Sequence, residues 1–466
     1  MALGTLARKH VLIIVQNLPV PLDRRVWLEC QALVKAGYEV SVICPKGPGD
    51  PSREVLDGVW LYKYRPPAQA NGFAGYINEF VYCWLRTALL FVRIFATRPF
   101  SVVQACNPPD TYAPLGLLGR LVGARFVYDQ HDLCPEIYLA RFEKPSTKIF
   151  KALLGLERVT YRAAHHVIST NESYREIAMQ RGRRTPDNTT VVRSGPDTTR
   201  MKPGPARPEL RLGREHLVCY LGIMGPQDGV DIVLRVMDVI VHKLGRTDVS
   251  AALLGFGDCL EELRALCTEL DLDDYVTFTG RADPEMIRDY LSTASVGLSP
   301  DPFNELNNIS TMNKTMEYMA HQLPVVTFDL AETRVSAGDS AVYVESGEVV
   351  AFATAVCDLL DDPERRRELG ERGRRRAVDV LDWAAQAAAY ISVYDRLHGI
   401  TRPEPAGAAV VTGAASLTAL TAAGLTAAGN VPAGNVPARS IPIPTHQADD
   451  PAVEAAGSPA GQVLRP

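Results

Sequence analysis

The sequence predicts an α/β protein made of two Rossmann-like, doubly wound parallel-sheet domains that face each other across a cleft, with a disordered C-terminal tail. Three observations predict this. Short apolar runs alternate with amphipathic helical stretches from residue 10 to about residue 330, the pattern of successive strand–helix–strand units. The alternation breaks once, at the Pro-, Gly- and Arg-rich segment "RSGPDTTRMKPGPARPELRLG" (193–213), and then restarts. The chain has 466 residues, more than one core commonly supports, so two domains of about 200 residues each fit the length.

Taken in order, "HVLIIVQN" (10–17) reads as a buried strand, "RRVWLECQALVKAG" (24–37) as an amphipathic helix stopped at Gly37, and "YEVSVICP" (38–45) as a second strand. The chain thus opens with a right-handed βαβ unit. Residues 101–106 ("SVVQAC"), 125–129 ("RFVYD") and 166–170 ("HVIST") complete a first domain over 1–195. Past the break, "LVCYLG", "VSAALLG", "YVTFTG", "SVGLSP" and "LPVVTF" are further strands separated by helical stretches, giving a second domain over 196–400. "ERRRELGERGRRRAV" and "WAAQAAAYISVYDRL" read as two terminal helices that pack back toward the first domain. The arginine run at 365–376, interleaved with Glu368 and Glu371, reads as a solvated helix face rather than a nucleic-acid patch. Residues 401–466 are mostly Ala, Gly, Pro and Thr, with the near-repeat "AGNVPAGNVPA". They hold too little apolar surface to offset backbone entropy and are expected to be disordered.

The 49 basic and 54 acidic residues are spread along the chain for a net charge of -5, so no global field recruits nucleic acid. Nine cysteines without a CxxC pair fit reduced thiols in a cytoplasm, and neither disulfides nor a metal site is expected. The N-terminal apolar run Val11–Val15 is too short for a signal-peptide core, which places the protein in the cytosol. One membrane-sized run stands out, "FVYCWLRTALLFVRIFATR" (80–98). Arg86 and Arg93 would each cost roughly 2.5 to 3.5 kcal/mol near a bilayer centre, so it is not expected to span. The favoured expectation is a helix buried in the first domain with a polar stripe. The sharper one is an interfacial helix that brings the protein to the inner face of a plasma membrane.

Ligands of such sheets lie beyond the carboxyl ends of the strands. Four loops there carry candidates: "NLPVPLDRR" with Asp23, Arg24 and Arg25; "DQHDLCPE" with His131 and Asp132; "GIMGPQDG" with Gly222 and Gly225; and the segment ending "NNISTMNKTMEYM", with Glu305, Asn308, Ser310, Asn313, Lys314 and Glu317. In the last of these, Ser310 or Thr311 can cap a helix whose first-turn N–H groups and dipole suit a diphosphate. Lys314 adds a full positive charge, and Glu317, one turn on, can accept hydrogen bonds from ribose hydroxyls. Asp132 or Glu136 is expected to orient the His131 ring. "GFGDC" (255–259) signals a tight backbone approach and nothing more.

Together the two halves, His131-Asp132, the loop Gly222–Gly229 and "NKTMEYMAHQLPVV" resemble the family 4 retaining glycosyltransferases of the GT-B fold, over roughly residues 8–398. The resemblance implies transfer of a sugar from a nucleotide-sugar donor (UDP- or GDP-sugar) to a sugar, lipid-linked or small-molecule acceptor. It implies retention at the anomeric carbon, no bound metal, and a role in polysaccharide or glycolipid biosynthesis. It assigns the donor's ribose to Glu317 and an approach to the donor sugar to His131. The chain departs from the family at three places. The usual first Glu, eight residues before Glu317, is Ile309, so Glu305, Asn307, Asn308 or Ser310 must serve instead. In the spacing Gly-Arg-x4-Lys-Gly, Ile223 replaces Arg and Asp228 replaces Lys. Stabilising the leaving diphosphate then falls to Lys314, Arg281, Arg24 and Arg25. Third, "PVPLDRR" stands where a glycine-rich loop is common. An epimerase on the same fold and a catalytically silent sugar-nucleotide binder are the competing readings.

Overall fold

A computed structural model describes residues 9–67, 72–142 and 144–402. The first sheet holds β1 (His10–Ile14), β2 (Glu39–Pro45), β3 (Arg53–Leu56), β4 (Val59–Tyr64), β5 (Val102–Cys106), β6 (Arg125–Gln130), β7 (His166–Ser169) and β8 (Thr189–Val191). Its order is β3-β4-β2-β1-β5-β6-β7-β8, parallel except for the antiparallel β3–β4 pair. All five residues of β1 are buried, as expected of a strand covered on both faces. Val11 and Ile13 enter the core on one side of the sheet, and Leu12 and Ile14 the core on the other.

The second sheet holds β9 (His216–Leu221), β10 (Val249–Leu254), β11 (Val276–Gly280), β12 (Val296–Ser299), β13 (Val325–Phe328) and β14 (Ala341–Val344). Its order, β11-β10-β9-β12-β13-β14, reverses between β9 and β12, the point where such sheets open a ligand crevice. The hairpin β3–β4 and the strand β14 are not singled out by the sequence; β3 and β14 are four-residue strands with half-exposed faces, whereas β4 is buried.

The terminal helices Pro363–Asp379 and Trp383–His398 cross between the halves. Trp383, Tyr390, Val393 and Tyr394 join the core of the first domain. Asp382 accepts a hydrogen bond from the backbone N of Thr198 at 3.1 Å, fixing the crossover beside the linker. The arginine run is only partly a solvated face. Arg367 pairs outward with Glu371, whereas Arg374 donates to the carbonyls of Ala320 and Met201 and Arg376 to that of Ser336. Arg374 thereby places a cation at the C-terminal end of the helix Asn313–Ala320.

The helix Gly72–Thr97 corrects the favoured expectation of a buried element. One face packs through Cys83, Thr87, Phe91 and Ile94, while Ile77, Phe80, Val81, Leu85, Leu89 and Val92 are exposed. Only 22% of its most apolar 18-residue window is buried. Alongside it, Phe91 reaches Gly119 of the helix Ala113–Leu121, whose Leu117, Leu118 and Leu121 are also exposed. The tail predicted to be disordered lies outside the described residues from 403 onward, as do residues 1–8.

Candidate functional site

On the second domain, the loop after β9 and the segment after β12 meet at the sheet's reversal. A Cβ on Gly222 would stand 2.9 Å from the Tyr220 hydroxyl and 3.2 Å from Cε of Lys314, so only glycine lets the lysine lie along this loop. One on Gly255 would collide with the carbonyl oxygen of Gly222, which gives the "GFG" turn its reason. The helix Asn313–Ala320 starts after Met312, and no side chain caps it.

That start corrects the expected capping role of Ser310 or Thr311. The Ser310 hydroxyl instead meets Tyr174 at 2.8 Å and the Leu306 carbonyl at 2.7 Å, while Thr311 accepts from Asn171 at 3.0 Å. Both residues are drawn into the domain seam.

Lys314 is buried and not free. Its Nζ lies 2.5 Å from Asp301 Oδ1 and 5.3 Å from the Tyr220 ring centroid. Asp228, the acid in place of the family's lysine, closes its own loop by accepting the Gly225 N–H at 2.9 Å. Burial, against the pull of Lys314, pushes its carboxyl up to about 6. Glu317, one turn beyond Lys314, reaches across the cleft to Arg24, Oε1 to Nη2 at 2.6 Å. Asn313 is exposed at the first helical position. Arg281 is exposed and stacks 4.3 Å over the Phe256 ring, with no contact to Lys314 or Glu317.

The first domain contributes a buried charge network. Asp23 caps the helix Arg24–Lys35 through the Val26 N–H. Arg25 is no diphosphate ligand. Its guanidinium is sealed by Glu29 at 3.1 Å, Asp129 at 3.0 Å and the Val192 carbonyl at 2.9 Å. Asp129 also receives His131 Nε2 at 2.7 Å and Gln104 Nε2 at 3.0 Å. The carboxylate in contact with the histidine ring is thus Asp129, not Asp132 or Glu136, and Glu136 pairs with Arg181. Asn107 Oδ1 holds the backbone N–H groups of His131 and Asp132 at 2.7 and 3.1 Å. The ligand atoms of Glu29, Cys106, Asp129 and His131 lie within 4.8 Å of one another. A metal would have to displace Arg25, which already neutralises the two carboxylates.

Between the walls runs an apolar seam of Leu133, Tyr174 and Leu306, with Ile137, Ile177 and Ile309 packed against it. Ile309 thus presents no carboxylate to a sugar and instead joins the halves. Asn171 donates to its carbonyl at 2.9 Å, and Ser173 donates to Glu332 at 2.9 Å. Asn308 is used structurally, accepting the Ala331 N–H. Glu305 is exposed and lines a cavity of about 210 Å³ with Glu136, Leu139 and Asn304. A larger cavity of about 510 Å³, lined by Phe303, Asp329, Glu345 and Ser346, touches neither Lys314 nor Glu317.

The sequence reading passed over Asp129, Gln104 and Asp301. Each is a buried polar residue within or just past a strand, which is the signal that could have found it.

Residues 22–195 match the family described as glycosyl transferase 4-like domain, and residues 215–362 match glycosyl transferases group 1. The chain belongs to the family 4 glycosyltransferases of the GT-B fold. Among its family 4 relatives is the GDP-mannose-dependent alpha-(1-6)-phosphatidylinositol monomannoside mannosyltransferase of Mycolicibacterium smegmatis. It is 29% identical over 205 residues, which is 42% of this chain and 53% of that protein. The D-inositol 3-phosphate glycosyltransferase of Thermomonospora curvata is 26% identical over 291 residues, 58% of this chain and 66% of that one. The match thus spans between half and two thirds of these relatives' own length. In fold, this family 4 chain is similar to sucrose-phosphate synthase from Thermosynechococcus elongatus, with a TM-score of 0.68 at 20% identity over 84% of this chain and 100% of that one.

Proposed function

We propose that this protein is a retaining glycosyltransferase that moves a sugar from a UDP- or GDP-sugar to a hydroxyl acceptor, without a metal, in glycolipid or polysaccharide biosynthesis. One observation carries the reading. Lys314 and Glu317 share one helix at the sheet's reversal, beside the Gly222 loop, and Glu317 meets the opposite wall through Arg24. A cation and a carboxylate so placed suit a diphosphate and a ribose.

The protein's chemistry is then charge stabilisation and closure. Arg24 leaves Glu317 as ribose hydroxyls arrive, and Lys314 exchanges Asp301 for diphosphate oxygens. The departing diphosphate takes the acceptor's proton on the same face while the walls exclude water. His131 and Asp132 border the donor sugar from the first domain, with Arg24 at the acceptor side.

A lipid-linked acceptor fits this reading. The exposed stripe Ile77, Val81, Leu85, Leu89 and Val92, with Arg86 and Arg93 exposed beside it, suits an anionic membrane surface met in parallel, at the cytoplasmic leaflet. A mannosyltransferase relative is itself named for a phosphatidylinositol substrate.

A thermal-shift panel of UDP, GDP and their sugars tests the donor. One nucleoside diphosphate should raise the melting midpoint by mass action, and Glu317→Ala should shrink the rise at the same nucleotide concentration. No response to any nucleotide would sink the reading. Flotation with anionic vesicles tests the surface, with the Leu85→Glu/Leu89→Glu variant expected to stay in the soluble fraction.

A further inference from the structure

We propose that Asp129 is the positioning residue of His131. It grips Nε2 from inside the first domain and leaves Nδ1 as the ring nitrogen that serves the cleft. The geometry leaves little choice. Asp129 is fully buried at the end of β6, and a carboxylate only accepts, so Nε2, at 2.7 Å, carries the hydrogen. Nδ1 has no protein partner among the described residues. Asn107 pins the backbone of the same loop, so both ring and main chain are fixed from behind.

The grip is itself braced. Gln104, which donates to Asp129, accepts from Tyr390 at 2.5 Å and from Tyr394. Both tyrosines sit on the crossover helix that returns from the second domain. Arg25 and Glu29, from the helix Arg24–Lys35, complete the surround, with Cys106 on β5 and Asp132 on the loop. Burial pushes the Glu29 carboxyl up to about 8, against the pull of Arg25.

The consequence is a charge supplied from the opposite wall. Burial works against protonating the His131 ring, but Asp129 outweighs it and the ring's pKa is raised. An imidazolium offers an Nδ1–H donor, where the neutral tautomer offers only a lone pair. The loop that would carry the family's cations holds Ile223 and Asp228 instead, so an Nδ1–H donor on a protonated His131 would add positive character that this loop lacks. Arg24 and Arg25 are sequence neighbours that tie this network to Glu317.

The kinetic part of this inference rests on the transferase reading, whereas the pairing itself does not. An NMR titration of His131 in the full chain, assigned with His131→Gln, should give a midpoint above the ordinary value of about 6.5. A wild-type midpoint at or below that value overturns the proposal, whether or not any variant folds. In Asp129→Asn the midpoint should fall, and an unchanged midpoint would also overturn it.

In the transfer assay, Asp129→Asn should lose about 10- to 100-fold in turnover at neutral pH, with donor KM changed much less. Its rate should decline at lower pH than the wild type's. Combined with His131→Gln, it should be no worse than His131→Gln alone, since residues acting as a unit are non-additive. Additive losses would separate the two residues. Wild-type protein that transfers nothing would refute the transferase reading while leaving the titration to decide the pairing.

Discussion

The two walls of the cleft handle charge in opposite ways. On the first domain, Arg25, Glu29 and Asp129 are sealed from solvent and bonded to one another and to Gln104. On the second, Lys314 and Glu317 each hold a single carboxylate or guanidinium partner, Asp301 and Arg24, and Arg24 is 42% exposed. A sealed network cannot give up a member without stranding a buried charge, at a cost of several kcal/mol. A charge with one partner can exchange it for a ligand, at least cost for Glu317 beside half-exposed Arg24, and for buried Lys314 only if the ligand stays within reach of Asp301's partner groups. One wall therefore keeps a fixed geometry, and the other is arranged to trade ion pairs for a diphosphate and a ribose.

The comparison breaks most decisively at Lys314. Lys314→Met should cut turnover by about 10- to 1,000-fold, roughly 1.4 to 4 kcal/mol of barrier. Donor affinity should change less, because charge builds on the leaving group only in the transition state. Steady-state kinetics beside Arg24→Met decide it. Near-normal turnover in Lys314→Met with collapse in Arg24→Met would move the role to the other wall.

Glu317→Ala comes next. Losing hydrogen bonds to a charged group should weaken binding of the free nucleoside diphosphate by roughly 1.5 to 3 kcal/mol, read by calorimetric titration. Unchanged affinity in a folded variant would mean that the Arg24–Glu317 pair is a domain clasp and not a ribose site.

Asp228 sharpens the comparison through pH. Its carboxyl stands at about 6 in the folded chain, above the ordinary value of about 3.9. A carboxyl raised on folding binds its proton more tightly in the native state. Its contribution is full below the unfolded value and is lost as pH rises through the folded one. Asp228→Asn should therefore melt like the wild type near pH 4 and be more stable above pH 6 by about 1 to 3 kcal/mol. It should also bind the diphosphate more tightly there. Melting curves that differ equally at both pH values would discard the titration account.

The smallest effect is expected at Arg281. Its guanidinium is exposed and stacked on Phe256, an interaction worth about 0.5 to 1 kcal/mol. Arg281→Met should accordingly leave turnover within about fivefold of the wild type. A collapse would show that the charge-bearing wall extends to the end of β11.

The seam explains why residue-level inference along the chain stops short. Ile309 looks like a lost carboxylate when read in sequence, yet its place beside Leu133, Tyr174 and Leu306 makes it part of the contact that joins the halves. Ser310 and Thr311 look like helix caps, but their hydroxyls meet Tyr174 and Asn171, more than a hundred residues away. Local pattern cannot rank a nearby orphan N–H against a distant partner, because the competitor exists only once both sheets have formed.

The sequence alone determined the two alternating strand–helix halves, the break between them, and the helix that carries Lys314 and Glu317. These follow from hydrophobic periodicity and the residues at strand ends, which are properties of neighbours along the chain. Only the tertiary structure decided how many partners hold each charge. Arg25 and Lys314 are alike as basic residues near strand ends, but one is locked by Glu29 and Asp129 and the other faces a single acid beside an open loop. The exposed face of the helix Gly72–Thr97 was decided the same way, since an apolar stripe fits a core or a surface equally well until the rest of the fold takes up one side of it. In each case the outcome depends on groups far apart in sequence, whose pairing is set by desolvation and Coulomb energy at distances the linear chain does not contain.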